Sequence, residues 1–178
     1  MKMRKFSFLL AILFLLNFVS TAQPVSTIIK TQAIEMGKAL INNDMVTFKK
    51  YMHPEMVTLA GGEDKMGVMA DSAMKMFKMM GGSITKIIYG NPAEVVKFEK
   101  ELQTTLSQST SLTSIIADIE FASTLVAISR DGGKNWYFID TSLYKESELR
   151  KKLPGLSPKL VIPPPAKPII KPKTKTDG

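Results

Sequence analysis

The sequence predicts a single α+β domain in which N-terminal helices pack on a curved antiparallel sheet, the shape of a cone. In the first half of the chain, apolar residues recur at three- and four-residue spacing, which is typical of amphipathic helices. After Gly82, β-branched residues, apolar/polar alternation and turn signals dominate, which indicates strands. Two of the strands are long and follow one another closely, which favours antiparallel pairing.

Two helices are predicted at the start of the domain. The first covers residues 26–42, and Ser26 or Thr27 is placed to cap it. Asp44 can cap a short second helix, which we expect to end before Pro54 because the residue before a proline is disfavoured in helical geometry.

A third helix is predicted for residues 64–80, between two pairs of glycines. Its apolar stripe is expected to face the core and consists of Met66, Met69, Ala70, Ala73, Met76, Phe77 and Met80. Methionine readily fills irregular cores, so core packing is the favoured role. Thioethers also bind Cu(I), which leaves copper handling as an alternative.

The second half of the chain predicts a sheet followed by a short helix. Strands are expected at residues 84–89, 101–112, 116–130 and 134–141, with an ambiguous segment at 93–98 and a basic helix at 147–153. One face of the second strand carries leucines and threonines and the other is polar, so this strand should be half-buried.

The last strand is apolar on both of its faces. Trp136 and Phe138 share one face with Asp140, whereas Tyr137 and Ile139 lie on the other. Such a strand needs cover on both sides. We expect the helix on one side and a pocket, the tail or a second subunit on the other.

Residues 129–136 match the Ser-x-Asp-x-Gly-x-x-Trp pattern of the Asp box, a hairpin repeat of sialidases and related propellers. Asp131 can accept hydrogen bonds from turn amides, the glycines can take positive φ, and Trp136 can cover the turn. A propeller needs several such repeats, and this sequence contains one. The pattern therefore predicts a stabilised turn, without sialidase chemistry.

The first 22 residues have the three parts of a secretory signal. A basic start precedes an apolar run from Phe6 to Val19, and Ser20-Thr21-Ala22 supplies the small residues of a cleavage site. We expect a periplasmic or extracellular protein cleaved near Ala22. The apolar run is shorter than the ~20 residues that a membrane-spanning helix needs.

The formal net charge of +8 is concentrated at the two ends of the chain. Of the 24 basic residues, three lie in the signal and five lie after residue 156, which leaves 16 against 15 acidic residues between them. A nearly neutral domain is a poor candidate for a nucleic-acid-binding surface. The chain has no cysteine, so disulfides, thiolate metal sites and thiol nucleophiles are excluded.

We expect the domain to occupy residues 23–156, followed by a Pro- and Lys-rich tail at 157–178. The tail is expected to be extended, because its composition offers little apolar surface. Leu160, Val161 and Ile162 are the exception and could dock on the domain. The alternatives for this tail are a solvated segment, a spacer to a partner and contact with anionic envelope polymers.

As a whole, residues 25–153 resemble the nuclear transport factor 2-like, or cystatin-like, α+β cone. The likeness lies in the first helix, the segment 44–51 ahead of His53-Pro54-Glu55, the third helix and the strands ending in Trp136-Tyr137-Phe138. The chain also looks like a group of small exported bacterial proteins of unassigned function. The resemblance implies a pocket between sheet and helix, which is catalytic in ketosteroid isomerase and scytalone dehydratase and only binds ligands in many other members.

In that pocket we expect Trp136, Phe138, Tyr89 and Asp140 to contact a ligand. Asp140, beside aromatic side chains, is a candidate general base. Its alternative role is a strand-end carboxylate bonded to neighbouring groups.

Asp118 and Glu120 lie on one face of a strand and are candidates for a catalytic carboxylate pair, or for a solvated face. His53 is the only histidine, and its setting favours a capping or surface role. No grouping has metal-ligand spacing, so neither a metal nor another cofactor is expected.

The favoured function is an exported, non-enzymatic binding or association module whose ligand the sequence does not identify, with an apolar small molecule as one candidate partner. One alternative is a lyase, isomerase or hydrolase that uses a carboxylate base in the cone pocket. Another is a structural domain that forms a homodimer. Neither nucleic acid nor a membrane span is expected.

Overall fold

The computed structural model of the protein describes residues 23–173. Within this range, helices pack on a six-stranded antiparallel open sheet, so the predicted α+β fold class is confirmed. The predicted signal, residues 1–22, and the end of the tail, residues 174–178, lie outside the described residues.

Four helices precede the sheet. They are α1 (Val25–Ile41), α2 (Met45–Lys50), α3 (Pro54–Leu59) and α4 (Glu63–Met79). The N-cap of α1 is Pro24, with no side-chain cap, so the prediction of a Ser26 or Thr27 cap was wrong. The cap of α2 was predicted correctly, because the Asp44 side chain accepts a hydrogen bond from the Thr47 amide at 3.0 Å.

Pro54 has a role that the sequence interpretation missed. It ends the α2 region, as expected, but it also starts the extra helix α3. Proline suits the first position of a helix because its φ is already helical and its missing amide has no partner there.

The sheet is built around two long strands. Its strands are β1 (Ser83–Tyr89), β2 (Val96–Phe98), β3 (Glu101–Thr113), β4 (Ala117–Ser129), β5 (Tyr137–Asp140) and β6 (Ile169–Pro172). β3 pairs with β4 from Leu102↔Ser129 to Thr113↔Asp118. β1 and β2 lie along the other edge of β3, and β5 and β6 along the other edge of β4. The sequence did not predict β6.

One face of the sheet, called here the α1 face, packs on α1. Leu106 and Leu125 lie opposite each other in the register and contact the buried stripe of α1. That stripe consists of Ile29, Ala33 and Met36, as the helical periodicity predicted. Burying a large aliphatic side chain stabilises the fold by about 1.5–3 kcal/mol, so this cluster makes a large contribution to the stability of the domain.

The second face is covered by the end of the chain. Helix α5 (Glu146–Lys152) and the following residues 153–162, called here the C-terminal segment, cross this face, whereas β6 lies at the edge of the sheet. Leu160 and Ile162 are buried against Val126 and Ile139, so the expected docking is confirmed. Of the covers proposed for the two-sided last strand, the chain's own C-terminal segment is the one observed.

This cover also changes the environment of the polar face of β3. The sequence interpretation left that face to solvent. Gln103 and Thr105 are instead buried beneath the C-terminal segment, whereas Ser107 and Ser109 are exposed.

The apolar stripe of α4 was predicted wrongly. Only Met66 and Gly67 are buried on this helix, whereas Met69, Met76 and Met80 are exposed. The half-buried residues of this helix, Ala70, Met74 and Phe77, continue the line of Met66 and Gly67. Core filling therefore does not explain most of these methionines.

The Asp-box hairpin has the local structure that its sequence predicts. Asp131 Oδ1 accepts hydrogen bonds from the Lys134 and Asn135 amides at 3.1 and 2.9 Å. Gly132 and Gly133 have φ of 76° and 92°, conformations that favour glycine. Trp136 is buried and its indole N–H donates to the Gly133 carbonyl at 3.0 Å. This hairpin fixes the β4–β5 connection.

Candidate functional site

The candidate site is a cleft of about 910 Å³ at the end of the second face. Ile128, Leu153 and Leu156 give it an apolar wall. Its charged lining consists of Glu55, Glu99, Lys100, Glu101 and Arg130, with His53 beside them. The cleft therefore combines an apolar wall with convergent polar groups, the two kinds of contact that a small-molecule site offers its ligand.

Arg130 is the central charged group of the cleft. It follows β4 directly, and its guanidinium donates to Glu101 at 2.6 Å and to Glu55 at 3.2 Å. The hydrogen bond to Glu101 is the main cause that raises the pKa of Arg130. Since the Glu55 side chain is half exposed and the Glu101 side chain largely buried, the Glu55 pair is the easier one to exchange.

His53 forms the inner end of the cleft. Its amide donates to the Phe138 carbonyl at 3.3 Å, which ties the α2–α3 connection to β5. The ring is 2% exposed and meets the Tyr137 ring edge-on, so the expected surface position was wrong. His53 does hold the N-cap position of α3, but its side chain caps no amide.

The His53 ring is held neutral by its surroundings. Its Nε2 lies 3.4 Å from a guanidinium nitrogen of Arg130, and its Nδ1 has no hydrogen-bond partner among the described residues. Burial lowers the pKa of His53, and the positive charge of Arg130 lowers it further. Because Arg130 can only donate, the geometry assigns the acceptor role to Nε2.

The apolar wall of the cleft depends on a buried glutamine. Gln103 donates to the Gly155 carbonyl and accepts from the Ser157 amide, both at 2.8 Å. These two hydrogen bonds pair backbone groups of the C-terminal segment in the way that a neighbouring β-strand would. The cleft wall at Leu153 and Leu156 is therefore held in place by a side chain of β3.

The residues predicted to bind a ligand lie on the other face of the sheet. Tyr89, Trp136 and Phe138 are buried in the cluster that contacts α1. Asp140 is half-buried at the end of β5, where it accepts from Gln108 at 3.0 Å and from the Ser142 amide at 2.8 Å. The fold thus gathers the four residues on the α1 face, away from the cleft.

Tyr89 has an unusual environment within this group. Its hydroxyl is buried against Gly37 of α1 and has no hydrogen-bond partner among the described residues. Burial is the main cause that raises its pKa, and the Asp140 carboxylate adds to the effect. A ligand contact by Tyr89 would need α1 to move, because α1 fills the space in front of the ring.

Asp118 and Glu120 share a strand face, as predicted, but each is engaged with β6. Asp118 accepts from Thr113 at 2.5 Å and lies 3.0 Å from the Lys173 ammonium, while Glu120 pairs with Lys171 at 3.1 Å. The bond from Thr113 is the main cause that lowers the pKa of Asp118. An exposed carboxylate with a lowered pKa is a weak base at neutral pH.

The cleft residues were not singled out as a site from the sequence. Arg130 occupies a variable position of the Asp box, and Glu101 begins a strand, so neither stands out. The one local signal is the triplet His53-Pro54-Glu55, in which a histidine and a carboxylate flank a helix start. The acids and Arg130 are far apart in sequence, and only sheet pairing brings them together.

Fold and cleft together define a single α+β domain with a ligand-sized site at one end of its sheet. No protein-family model matches the chain, and neither a curated protein nor a solved structure matches it significantly. Within residues 23–173, no three His, Cys, Asp or Glu side chains are grouped so that they could hold a metal ion. None of the described helices has the length and apolar character needed to cross a membrane.

Proposed function

We propose that this protein is an exported, non-enzymatic binding module of the nuclear transport factor 2-like class, which holds a mainly apolar small molecule in the cleft beside Arg130. The observation that carries the proposal is the cleft itself. Its volume of about 910 Å³ lies within the range of ligand sites, and apolar and charged groups face each other across it.

The apolar wall gives the ligand its main contact area. Ile128 is contributed by β4, while Leu153 and Leu156 come from the C-terminal segment. All three side chains belong to the buried cluster between the sheet and the C-terminal segment. The wall is therefore pre-formed, and a ligand loses little free energy in ordering it.

Arg130 supplies the polar contact. A carboxylate or other acceptor on the ligand can replace Glu55, whose side chain is half exposed, while Glu101 keeps the guanidinium in place. His53 supports this arrangement, because a neutral ring beside Arg130 adds no competing positive charge.

A binding role also fits the chemistry of the lining. Two of its carboxylates are already engaged, because Arg130 holds Glu101 and Glu55 in ion pairs. Asp140 is turned to the α1 face, where it bonds Gln108 and the Ser142 amide. The carboxylate-based enzyme and the homodimer stay predictions from the sequence.

The class assignment rests on the order of elements. Helices precede a sheet with two long antiparallel strands, and α1 lies across one face of that sheet. This arrangement is compatible with the cone that the sequence resembles.

Export rests on the sequence of residues 1–22. Expression in a secreting host should yield a mature chain that begins at Gln23, as read by N-terminal sequencing. A full-length chain retained in the cytoplasm would contradict this part of the proposal.

Ligand binding is tested with three naphthalene probes that differ only in a carboxylate, hydroxyl or amine substituent. We expect the carboxylate to raise the thermal unfolding midpoint most and the amine least. Arg130→Gln should remove the advantage of the carboxylate. Lys134→Gln, an exposed change of the same charge outside the cleft, should keep it. Absence of any shift, or equal shifts in the two variants, would contradict the proposal.

A further inference from the structure

Five strongly exposed apolar side chains lie at the end of α4 and on the β3–β4 turn beside it. This surface, called here the apolar tip, consists of Met76, Met79, Met80, Ile115 and Ile116. Each of the five is between 56% and 87% exposed. Single exposed apolar residues are common on proteins, whereas a contiguous group marks an interaction surface.

The backbone holds the two parts of the apolar tip together. A Cβ built on Gly81, the residue after Met80, would lie 3.0 Å from Cγ1 of Ile115, so the helix end and the turn are in close contact. Ser83 pairs with Thr113, and the Ser114 amide donates to the Ala117 carbonyl at 2.9 Å. The surface is therefore the convex end of a hairpin and a helix.

Several lysines lie on the elements that form the apolar tip. Lys75 and Lys78 lie on the last turns of α4, and Lys86 lies in the middle of β1. The Lys173 ammonium donates to the Ser114 carbonyl at 2.9 Å, at the turn itself. The acidic residues of α4, Glu63, Asp64 and Asp71, all lie in its first half.

The charge near the apolar tip is clearly positive. With Lys171 the neighbouring lysines number five, against the two carboxylates of Asp118 and Glu120. An apolar projection with lysines beside it is complementary to a surface with an apolar interior and anionic headgroups.

We propose that the apolar tip docks this protein on an anionic phospholipid bilayer. The apolar side chains enter the headgroup layer, and the lysines stay at the level of the phosphates. Methionine suits this contact because its unbranched thioether chain adapts to a disordered surface. A second copy of the chain is the weaker candidate, because two convex tips of the same positive charge repel each other.

The test is co-sedimentation of the purified mature chain with vesicles of phosphatidylcholine alone or mixed with phosphatidylglycerol. We expect binding to the mixed vesicles at low salt, weaker binding at high salt and little binding to phosphatidylcholine alone. Replacing Lys75 and Lys78 by Gln should lower the partition coefficient about fivefold per lysine.

Two single variants test the apolar part. Met79→Asp and Ile116→Asp should each abolish sedimentation with the mixed vesicles. Val161→Asp is the matched control, because Val161 is 75% exposed but lies on the C-terminal segment. This control should bind like the wild type, and unfolding curves should show that all three variants stay folded.

Failure of the wild type to bind the mixed vesicles at low salt would overturn the proposal. It would also be overturned if Val161→Asp lost binding as strongly as Met79→Asp. Light scattering that shows a wild-type dimer and a monomeric Met79→Asp would assign the apolar tip to contact between copies instead. None of these results depends on the cleft, so the proposed function is tested separately.

Discussion

Replacing Gln103 by Leu should release the C-terminal segment from the sheet. The substitution keeps the side chain large but removes the donor to the Gly155 carbonyl and the acceptor of the Ser157 amide. It also removes the hydrogen bond that Gln103 donates to Glu101 at 2.9 Å, so it separates the polar contacts of Gln103 from its contribution to core volume.

The size of the effect follows from the environment of the two backbone groups. A buried polar group that loses its partner costs about 1–3 kcal/mol. Ser157 is fully buried, so its amide loses the full amount, whereas Gly155 is exposed and its carbonyl can turn to water. We expect the free energy of unfolding to fall by about 1–3 kcal/mol.

Urea unfolding measures this change, and limited trypsin digestion locates it. The Lys159–Leu160 bond should be cut faster in Gln103→Leu, because Leu160 is released from the second face. Thr105→Val is the graded control, since its hydroxyl makes one bond of 3.2 Å to the Val161 carbonyl and should lose only about 1 kcal/mol. A loss below about 1 kcal/mol in Gln103→Leu, with unchanged digestion, would refute the role given to Gln103.

Three further predictions concern other parts of the domain. Burial holds the pKa of His53 below its ordinary value of 6.5, so the unfolded chain binds the proton first. Stability should fall as the pH drops below 6.5, and chemical unfolding of His53→Gln should lack this slope. Asp131→Ala should lower stability by about 1 kcal/mol, because it removes the acceptor of two hairpin amides, as thermal unfolding will show. Gly37→Ala should lose about 1–3 kcal/mol, because its Cβ would lie 2.6 Å from the Tyr89 hydroxyl. Adding Tyr89→Phe should restore part of that loss, and no restoration in a double-mutant cycle would contradict the assigned contact.

Local features of the fold were accessible from the sequence. The cap at Asp44 and the turn at Asp131 involve partners within four residues, so residue type and spacing suffice to predict them. The α1 face was predicted for the same reason, because its helix and strand periodicities are local properties.

Features that depend on distant partners were missed or predicted wrongly. The exposed methionine stripe of α4 has the same spacing as a core-facing one, because periodicity reports a stripe and not what covers it. Gln103 is a polar residue on a polar face, and only Gly155 and Ser157 make that position a buried one. The cleft was missed because Arg130, Glu101 and Glu55 belong to three separate segments.

The sequence by itself determined the α+β class, the order of the long elements and the hydrogen bonding of the Asp-box hairpin. These follow from periodicity and turn chemistry, which act over a few residues. Only the tertiary structure decided which faces are covered, where His53 lies and which charges meet Arg130. Burial and ion pairing depend on groups brought together by the sheet register and by the C-terminal segment, and local spacing carries no information about either.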